Sequence, residues 1–254
     1  MSTRKGTLYL VPAPLDFGCE QQTSLQGVMP LHTLQIAARL SCFICENAKS
    51  TRAYLKRVGE QVALAQSVQA LQIQELPREV HKKGDHTGNF DARPLLKAAL
   101  DGQDIGLVSE AGMPAIADPG SSVVRAAHDL GIAVIALTGP MSLMLALACS
   151  GLNGQNFAFV GYLPQDGLER SQRIKALESM ALKSAQTQIF IETPYRNTAL
   201  LQALLQTLQS NTRLSVSCGL TLDQVWTSSA TVAKWKQDKP MPPLSLPAVF
   251  CIGR

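Results

Sequence analysis

Short apolar runs and amphipathic stretches alternate along the first half of this 254-residue chain. The segments TLYLVP, LSCFIC and DIGLVSE are typical of buried strands, whereas residues 31–39 and 48–58 have the apolar spacing of helices. Strands that alternate with helices usually pair in parallel, and their helices cover both faces of the sheet. The first half is therefore predicted to be an α/β domain with a mainly parallel sheet.

The second half follows a different pattern. Helices are predicted over residues 168–182 and 197–208, after which three strand-like segments, RLSVSCGL, VWTSSAT and PAVFCIG, follow with fewer helices between them. Closely spaced strands favour antiparallel pairing. We therefore predict an α/β fold of two α/β domains, with a parallel sheet in the first and a mixed sheet in the second.

Length and composition agree with two ordinary globular domains. A chain of 254 residues can form two domains that each bury a core, and we expect them to span residues 1–117 and 118–254. The hydrophobic content is 46% and the charged content 17%. A net charge of +4 permits an anionic partner but is far below the basic excess of a dedicated nucleic-acid-binding domain.

The stretch Gly131 to Leu152 contains no charged residue and is the main candidate for a membrane segment. Its central Thr-Gly-Pro divides it into a strand-like and a helix-like half, each too short to cross a bilayer. The apolar run of residues 8–11 is likewise too short for the core of a signal peptide. A soluble, cytoplasmic protein with no membrane partner is expected.

Metal and nucleotide motifs are weak or missing from the sequence. Cys42 and Cys45 form a C-x-x-C, but their apolar surroundings favour a buried strand over a zinc or redox site. The four histidines lack metal-ligand spacing. No G-x-G-x-x-G follows the first strand, and no phosphate-binding P-loop motif is present. We expect no metal site.

The segment SEAGMPAIADPG, residues 109–120, joins a predicted strand to a predicted helix. Its glycines and small residues would let backbone groups approach a ligand closely, although a tight turn alone would also explain them. We expect Asp118 to cap the following helix, Pro119 to lie in its first turn, and Gly131 to end it.

Proline recurs at five predicted strand ends, where it stiffens the connecting turns. Open α/β sheets bind ligands beyond the carboxyl ends of their strands, so these turns predict a rigid crevice. The five segments are residues 11–14, 109–114, 138–142, 161–164 and 192–196.

The segments LYLVPAPL, IGLVSEAGMPAIADPG, LTGPMSLMLAL, FVGYLP and IFIETPYR have a familiar order and spacing. They resemble the S-adenosylmethionine-dependent methyltransferases of the tetrapyrrole methylase superfamily, most closely the branch that methylates a cytidine 2′-hydroxyl in small-subunit ribosomal RNA. The resemblance covers nearly the whole chain. It implies a two-domain homodimer that binds S-adenosyl-L-methionine in a cleft between its domains and acts on ribosomal RNA.

The resemblance also implies the residues that contact the cofactor. Backbone groups of the 109–120 segment would meet its methionine part, and the later positions would lie along the adenosine or close the pocket. The positions carried over are Pro14, Ala111, Gly112, Met113, Ile116, Ser142, Leu143, Glu192, Leu220 and Ala248.

Methyl transfer to a hydroxyl needs a base or polarising partner in addition to in-line positioning. Glu46 and Glu110 are the candidate catalytic carboxylates, although either could instead orient a loop. Lys49, Arg52 and Lys56 share one face of the predicted helix. With Arg57 and the later segment His81-Lys82-Lys83 they could contact RNA phosphates, while a solvated surface is the alternative explanation.

The sequence departs from the resembling enzymes at four segments, residues 12–18, 45–49, 109–112 and 218–222, and mainly in the half that would face the substrate. The last has C-G-L-T-L in place of R-E-L-T-K and so lacks two cations and an acid. Two other functions therefore stay open: a catalytically silent relative that binds the cofactor or RNA, and a methylase acting on a small tetrapyrrole-like molecule.

Overall fold

The computed structural model describes residues 4–83, 85, 86, 88–238 and 241–254. The chain divides into two compact units, Met1–Pro140 and Met141–Arg254. Each unit contains one five-stranded sheet. The first sheet is parallel and the second is mixed, which confirms the predicted α/β class.

The first sheet has the strand order β3-β2-β4-β1-β5, and all its neighbouring strands are parallel. Of its three inner strands, β2 and β4 are buried along their whole length, as expected of strands covered on both faces. The strands are β1 (Thr7–Val11), β2 (Cys42–Cys45), β3 (Gln72–Glu75), β4 (Ile105–Val108) and β5 (Ala133–Ala136).

Helices cover both faces of this sheet. Phe43 and Ile44 are neighbours on β2, so their side chains point to opposite faces and belong to two separate cores. The helices are α1 (Leu25–Val28), α2 (Leu31–Arg39), α3 (Ala48–Gly59), α4 (Arg78–Lys83), α5 (Lys97–Leu100) and α6 (Ser121–Asp129), with a 3₁₀ helix over Arg93–Leu96. Helix α2 has the predicted bounds.

The two units divide later in the chain than the boundary expected at Ala117. After α6 the chain returns to the first sheet, because β5 pairs in parallel with β1 over four residue pairs. The expected boundary therefore falls inside the first unit, between β4 and α6, and the chain leaves that unit only at Pro140.

The second unit has the strand order β6-β7-β10-β8-β9, in which only β6 and β7 are parallel. Phe190 of β7 and Phe250 of β10 stack with ring centroids 5.9 Å apart at the centre of its core. The strands are β6 (Phe157–Tyr162), β7 (Thr187–Glu192), β8 (Arg213–Cys218), β9 (Trp226–Thr231) and β10 (Ala248–Gly253), and the helices are α7 (Ser142–Ser150), α8 (Gly167–Ser184), α9 (Asn197–Thr207) and α10 (Val232–Asp238).

The start of α6 corrects the prediction that Asp118 caps it. The capping position is Gly120, and the carboxylate of Asp85, far away in sequence, accepts the N–H groups of Gly120 and Ser122, each at 2.9 Å. The hydroxyls of Ser121 and Ser122 also donate to Asp85. Burial would raise the pKa of Asp85, but these hydrogen bonds outweigh it and hold the pKa below its usual value. Gly131 ends the helix with φ +62°, as predicted.

Two further sequence expectations can be compared with the structure. Cys42 and Cys45 lie in the buried strand β2 as free thiols, which confirms that interpretation of the C-x-x-C. Within the described part of the chain, no helix combines the length and the apolar character required to cross a bilayer.

We expect Asp85→Ala to lower the free energy of unfolding by about 2 kcal/mol, because it leaves buried donors at the start of α6 without a partner. Asp118→Ala should not lower it. Urea unfolding monitored by circular dichroism measures the free energy of unfolding of both variants. A pH of about 7.5 lies within the range in which most proteins are most stable. Equal losses in the two variants would contradict this assignment of the cap.

Candidate active site

The candidate site of the first unit lies where β1 and β4 end side by side. Strand β1 leads to β2, on the far side of β4, whereas β4 leads to β5, on the far side of β1. Neighbouring strands whose connections leave in opposite directions open a crevice beyond their carboxyl ends, where α/β sheets bind ligands. The segment after β1 contains Pro14, and the segment after β4 contains Glu110 to Ile116.

Backbone pairing between Ala13 and Gly112 closes part of this crevice. Each residue donates its N–H to the carbonyl of the other at 2.9 Å, forming an isolated antiparallel bridge. Gly112 has φ +73°, and a Cβ there would lie 3.3 Å from Leu15 Cδ2 and 3.7 Å from the Pro140 carbonyl oxygen. The turn therefore requires a glycine at position 112. The Gly112 N–H is already bonded to the Ala13 carbonyl, and a contact of Gly112 with the cofactor stays a prediction.

The rest of the turn is strained and partly open. Ala115 and Ala117 both have φ +65°, a conformation that residues with a Cβ rarely adopt. Hydrogen bonds from the Ala115 N–H to the Pro119 carbonyl (3.3 Å) and from the Ile116 N–H to the Met113 carbonyl (3.4 Å) are long. Backbone strain of this kind is characteristic of ligand sites.

The turn still has groups that a polar ligand could bind. The N–H groups of Ala111 and Met113 have no hydrogen-bond partner among the described residues. The side chain of Ile116 is 41% exposed. The turn therefore fits a ligand with a polar end and an apolar body, although through fewer backbone groups than the sequence suggested.

Glu46 and Glu110, the two predicted catalytic residues, lie together. The N–H of Glu110 donates to Glu46 Oε1 at 3.3 Å, and Ser50 Oγ donates to Glu110 Oε1 at 3.2 Å. Burial, followed by repulsion from Asp118, raises the pKa of Glu46 to about 7. Burial and repulsion from Glu110 raise the pKa of Asp118 to about 7 as well.

These three carboxylates therefore form an acidic cluster, defined as Glu46, Glu110 and Asp118. Its Glu46 has a pKa near neutral pH, which suits a group that takes up and releases a proton. Sequence reasoning missed Asp118 as a member, because it assigned that residue to the helix cap. The described residues contain no group of three or more metal-ligating side chains arranged to hold an ion.

A cavity of about 390 Å³ adjoins the cluster within the first unit. Pro14 lines it, as do residues of the segments after β1, β2 and β4, namely Ala13, Asp16–Cys19, Gln22, Asn47, Lys49–Thr51, Ala53, Tyr54, Arg57 and Val108–Glu110. Among these, Ser109 was not predicted as a site residue, although its position directly after β4 would have indicated it.

The basic face of α3 is only partly as expected. Lys49, Arg52 and Lys56 are exposed, in agreement with the prediction of a shared face. Arg57 instead forms two hydrogen bonds with the buried Asp16 carboxylate, at 3.1 and 2.9 Å, and a third with the Thr23 carbonyl. The side chains of His81, Lys82 and Lys83 lie outside the described part.

In the second unit, Glu192, Ala248 and Leu220 lie at one edge of the sheet. Ala248 begins β10 and pairs with Glu192, the last residue of β7, and with Cys218, the last residue of β8. Leu220 follows two residues after Cys218.

Helix α7 begins at Ser142 and packs on strands β8, β9 and β10 of this sheet. A Cβ at Gly253, the last residue of β10, would meet the side chain of Leu152, which follows the end of α7. The structure thus brings Glu192, Leu220 and Ala248 to one edge, while the place of Ser142 and Leu143 in the site stays a prediction.

The carboxylate of Glu192 is already occupied. It is buried, accepts the Thr193 N–H at 2.7 Å and forms an ion pair with Arg196 at 2.7 Å. Leu143, Leu220 and Ala248 are also buried. These residues can shape a site and offer backbone groups, whereas Ser142 is half-buried and keeps its hydroxyl near the start of α7.

The acidic cluster predicts a stability that depends on pH. The pKa of Glu46 rises from an ordinary value of 4.5 to about 7 on folding, so the folded protein holds this proton more tightly. The free energy of unfolding therefore falls as the pH increases from about 4.5 to about 7. Glu46→Gln should raise the melting temperature by about 2–4 °C (roughly 1 kcal/mol) at about pH 8, and change it much less at about pH 5, near the lower end of this interval.

Differential scanning fluorimetry at the two pH values measures this effect. Glu60→Gln, at an exposed position, is the control and should change the melting temperature little at either pH. A Glu46→Gln protein that is destabilised equally at both values would contradict the raised pKa.

The chain is similar to known methylases in both sequence and fold. Residues 29–232 match the family model of Tetrapyrrole (Corrin/Porphyrin) Methylases. The crystal structure of the methyltransferase CobJ covers 98% of this chain and 94% of its own with a TM-score of 0.57 at 17% identity. The crystal structure of uroporphyrin-III-C-methyltransferase from Thermus thermophilus matches with a TM-score of 0.50 at 17% identity. It also covers 98% of this chain and 94% of its own. These likenesses concern the fold alone.

Sequence relatives are named ribosomal RNA small subunit methyltransferase I. The protein of Halalkalibacterium halodurans is 32% identical over 218 residues, covering 85% of this chain and 65% of the relative. That of Mesorhizobium japonicum is 31% identical over 215 residues, with 84% and 63% covered. The chain thus spans less than two thirds of the length of these relatives. The family match, which extends over most of the chain, shows that this protein belongs to the tetrapyrrole methylase family.

Proposed function

We propose that this protein transfers a methyl group from S-adenosyl-L-methionine to a ribose hydroxyl of RNA, with small-subunit ribosomal RNA as the substrate. The observation that carries the proposal is the position of Glu46 and Glu110. They lie together beside the strained turn after β4, next to a cavity at the carboxyl edge of the sheet. Membership of a methylase family supplies the reaction class.

The cofactor would supply a methyl group bonded to a positively charged sulfur, which a nucleophile can displace directly. In the first unit, the free N–H groups of Ala111 and Met113 would bind its polar end, and Ile116 would contact its apolar body. The bridge to Ala13 makes Gly112 a positioning residue. In the second unit, Ser142, Leu143, Glu192, Leu220 and Ala248 belong to the proposal as positions implied by the resemblance.

A ribose hydroxyl must lose its proton as its oxygen bonds to the methyl carbon and the carbon–sulfur bond breaks. We assign the acceptance of this proton to Glu110, which lines the cavity, with Glu46 orienting it through the Glu110 N–H.

RNA is favoured over a small tetrapyrrole-like acceptor by two observations. The relatives with about 30% identity are named for ribosomal RNA, whereas the methylases found by structure alone are 17% identical. Lys49 lines the cavity, and Arg52 and Lys56 are exposed on the same face of α3, so the three cations suit phosphates. The proposal includes a homodimer that works in the cytoplasm, as the resemblance implies.

Ile116→Ala should weaken S-adenosylmethionine binding about threefold to tenfold, because it removes apolar contact. Ile135→Ala is a matched control, since Ile116 is 41% exposed and Ile135, on β5, is 44% exposed. Isothermal titration calorimetry measures both affinities. Absence of binding to the unmodified protein at millimolar cofactor would end the proposal, and equal losses in both variants would remove Ile116 from the site.

Glu110→Gln should reduce methyl transfer about 100-fold or more while leaving cofactor affinity unchanged, because it removes the base but keeps the shape of the side chain. Transfer of labelled methyl groups to small ribosomal subunits that lack the modification measures the rate. Glu60→Gln serves as the control. An unmodified protein that binds the cofactor but transfers no methyl group would support the catalytically silent alternative.

A further inference from the structure

The cavity of the first unit contains a buried polar group that no described residue satisfies. Ser109 is 4% exposed, lines the cavity, and its Oγ has no hydrogen-bond partner among the described residues. Leaving a buried hydroxyl unpaired is unfavourable, so such groups usually have a partner in the functional state. Ser109 follows β4 directly, at the strand end where ligands are expected.

Next to Ser109, the cavity offers an acceptor and a cation. Glu110 Oε1 accepts from Ser50, which leaves its other carboxylate oxygen available. Lys49 is exposed and forms no ion pair with any described carboxylate. A hydroxyl and a carboxylate can together bind the hydroxyl groups of a sugar, and a lysine binds phosphate as a point charge.

The cavity lining also contains a buried ion pair and an exposed aromatic residue. Asp16 and Arg57 form the pair, which satisfies both charges, and the neighbouring Phe17 is 48% exposed. An exposed phenylalanine ring is a surface on which an unstacked base can lie. The ion pair fixes Asp16 and with it the neighbouring Phe17 in the cavity lining. Arg57 is already paired with Asp16 and is not a second cation for a ligand.

We propose that this cavity holds a single ribonucleotide of the RNA acceptor. Ser109 and Glu110 bind its ribose hydroxyls, Phe17 contacts its base, and Lys49 binds its phosphate. The volume of about 390 Å³ is within the usual range for small-ligand sites. A tetrapyrrole with several carboxylates would meet only one unpaired cation among the described lining residues. The proposal rests on the function proposed above and adds the site that selects RNA.

The test compares binding of a single-stranded oligocytidine hexamer made of RNA with one made of DNA. Cytosine is chosen because it does not imitate the adenosine of the cofactor, and saturating S-adenosylhomocysteine excludes binding at the cofactor site. We expect the RNA to bind about fivefold more tightly than the DNA, since only RNA has the 2′-hydroxyl.

Two variants separate the ribose contact from the phosphate contact. Ser109→Ala should weaken RNA binding about fivefold and leave DNA binding unchanged, so that the difference between them disappears. Lys49→Ala should weaken both about equally, because both contain phosphates. Ser215→Ala is the control for Ser109, since Ser215 is also buried and without a partner among the described residues but belongs to the second unit and does not line this cavity. Lys97→Ala, at an exposed site, is the control for Lys49.

Equal binding of the RNA and DNA hexamers, or an unchanged difference in Ser109→Ala, would overturn the ribose assignment. Absence of binding to either hexamer at millimolar concentration would overturn the site as a whole. Binding of S-adenosylhomocysteine, measured first on the same protein, reports on the proposed function separately. A protein that binds this compound but does not distinguish the hexamers would refute only the inference drawn here.

Discussion

Two backbone hydrogen bonds between Ala13 and Gly112 set the geometry of the candidate site. Strands β1 and β4 are parallel, so an antiparallel bridge just beyond them requires the chain to reverse after β4. That reversal places Gly112 at φ +73°, where a Cβ is disfavoured. With the two segments joined, Pro14 and Glu110 are held against the same cavity. Gly112 therefore affects the candidate site by fixing the positions of Pro14 and Glu110.

The carboxylates near this turn show how local donors decide the charge of a buried acid. Asp85 accepts two N–H groups and two hydroxyls, and its pKa lies below the usual value. Glu46 accepts one N–H, at 3.3 Å, and its pKa rises to about 7. Both lie in the same region of the first unit. One carboxylate is thus committed to holding α6, while the other is free to exchange a proton near neutral pH.

Local patterns in the sequence predicted most of the fold. The alternation of strands and helices yielded the parallel sheet, and the bounds of α2 were predicted correctly. The boundary at Ala117 and the cap at Asp118 were wrong, because both depended on partners distant in sequence. Strand β5 pairs with β1, and Asp85 binds the start of α6. Such contacts leave no periodic signal, and D-P-G before a helix is a normal capping pattern.

The site was predictable in position but less so in chemistry. Motif order alone selected Glu46 and Glu110, which prove to be hydrogen-bonded across 64 residues. It also selected Glu192, Leu220 and Ala248, which converge on one edge of the second sheet. Positions chosen without geometry would otherwise scatter over the faces of both sheets. What motif order could not reveal is which polar groups are already bonded: Gly112 and Glu192 have protein partners, whereas Ser109 has none among the described residues. An unsatisfied hydroxyl at a strand end is therefore a stronger indication of a ligand than a motif residue whose hydrogen bonds are complete.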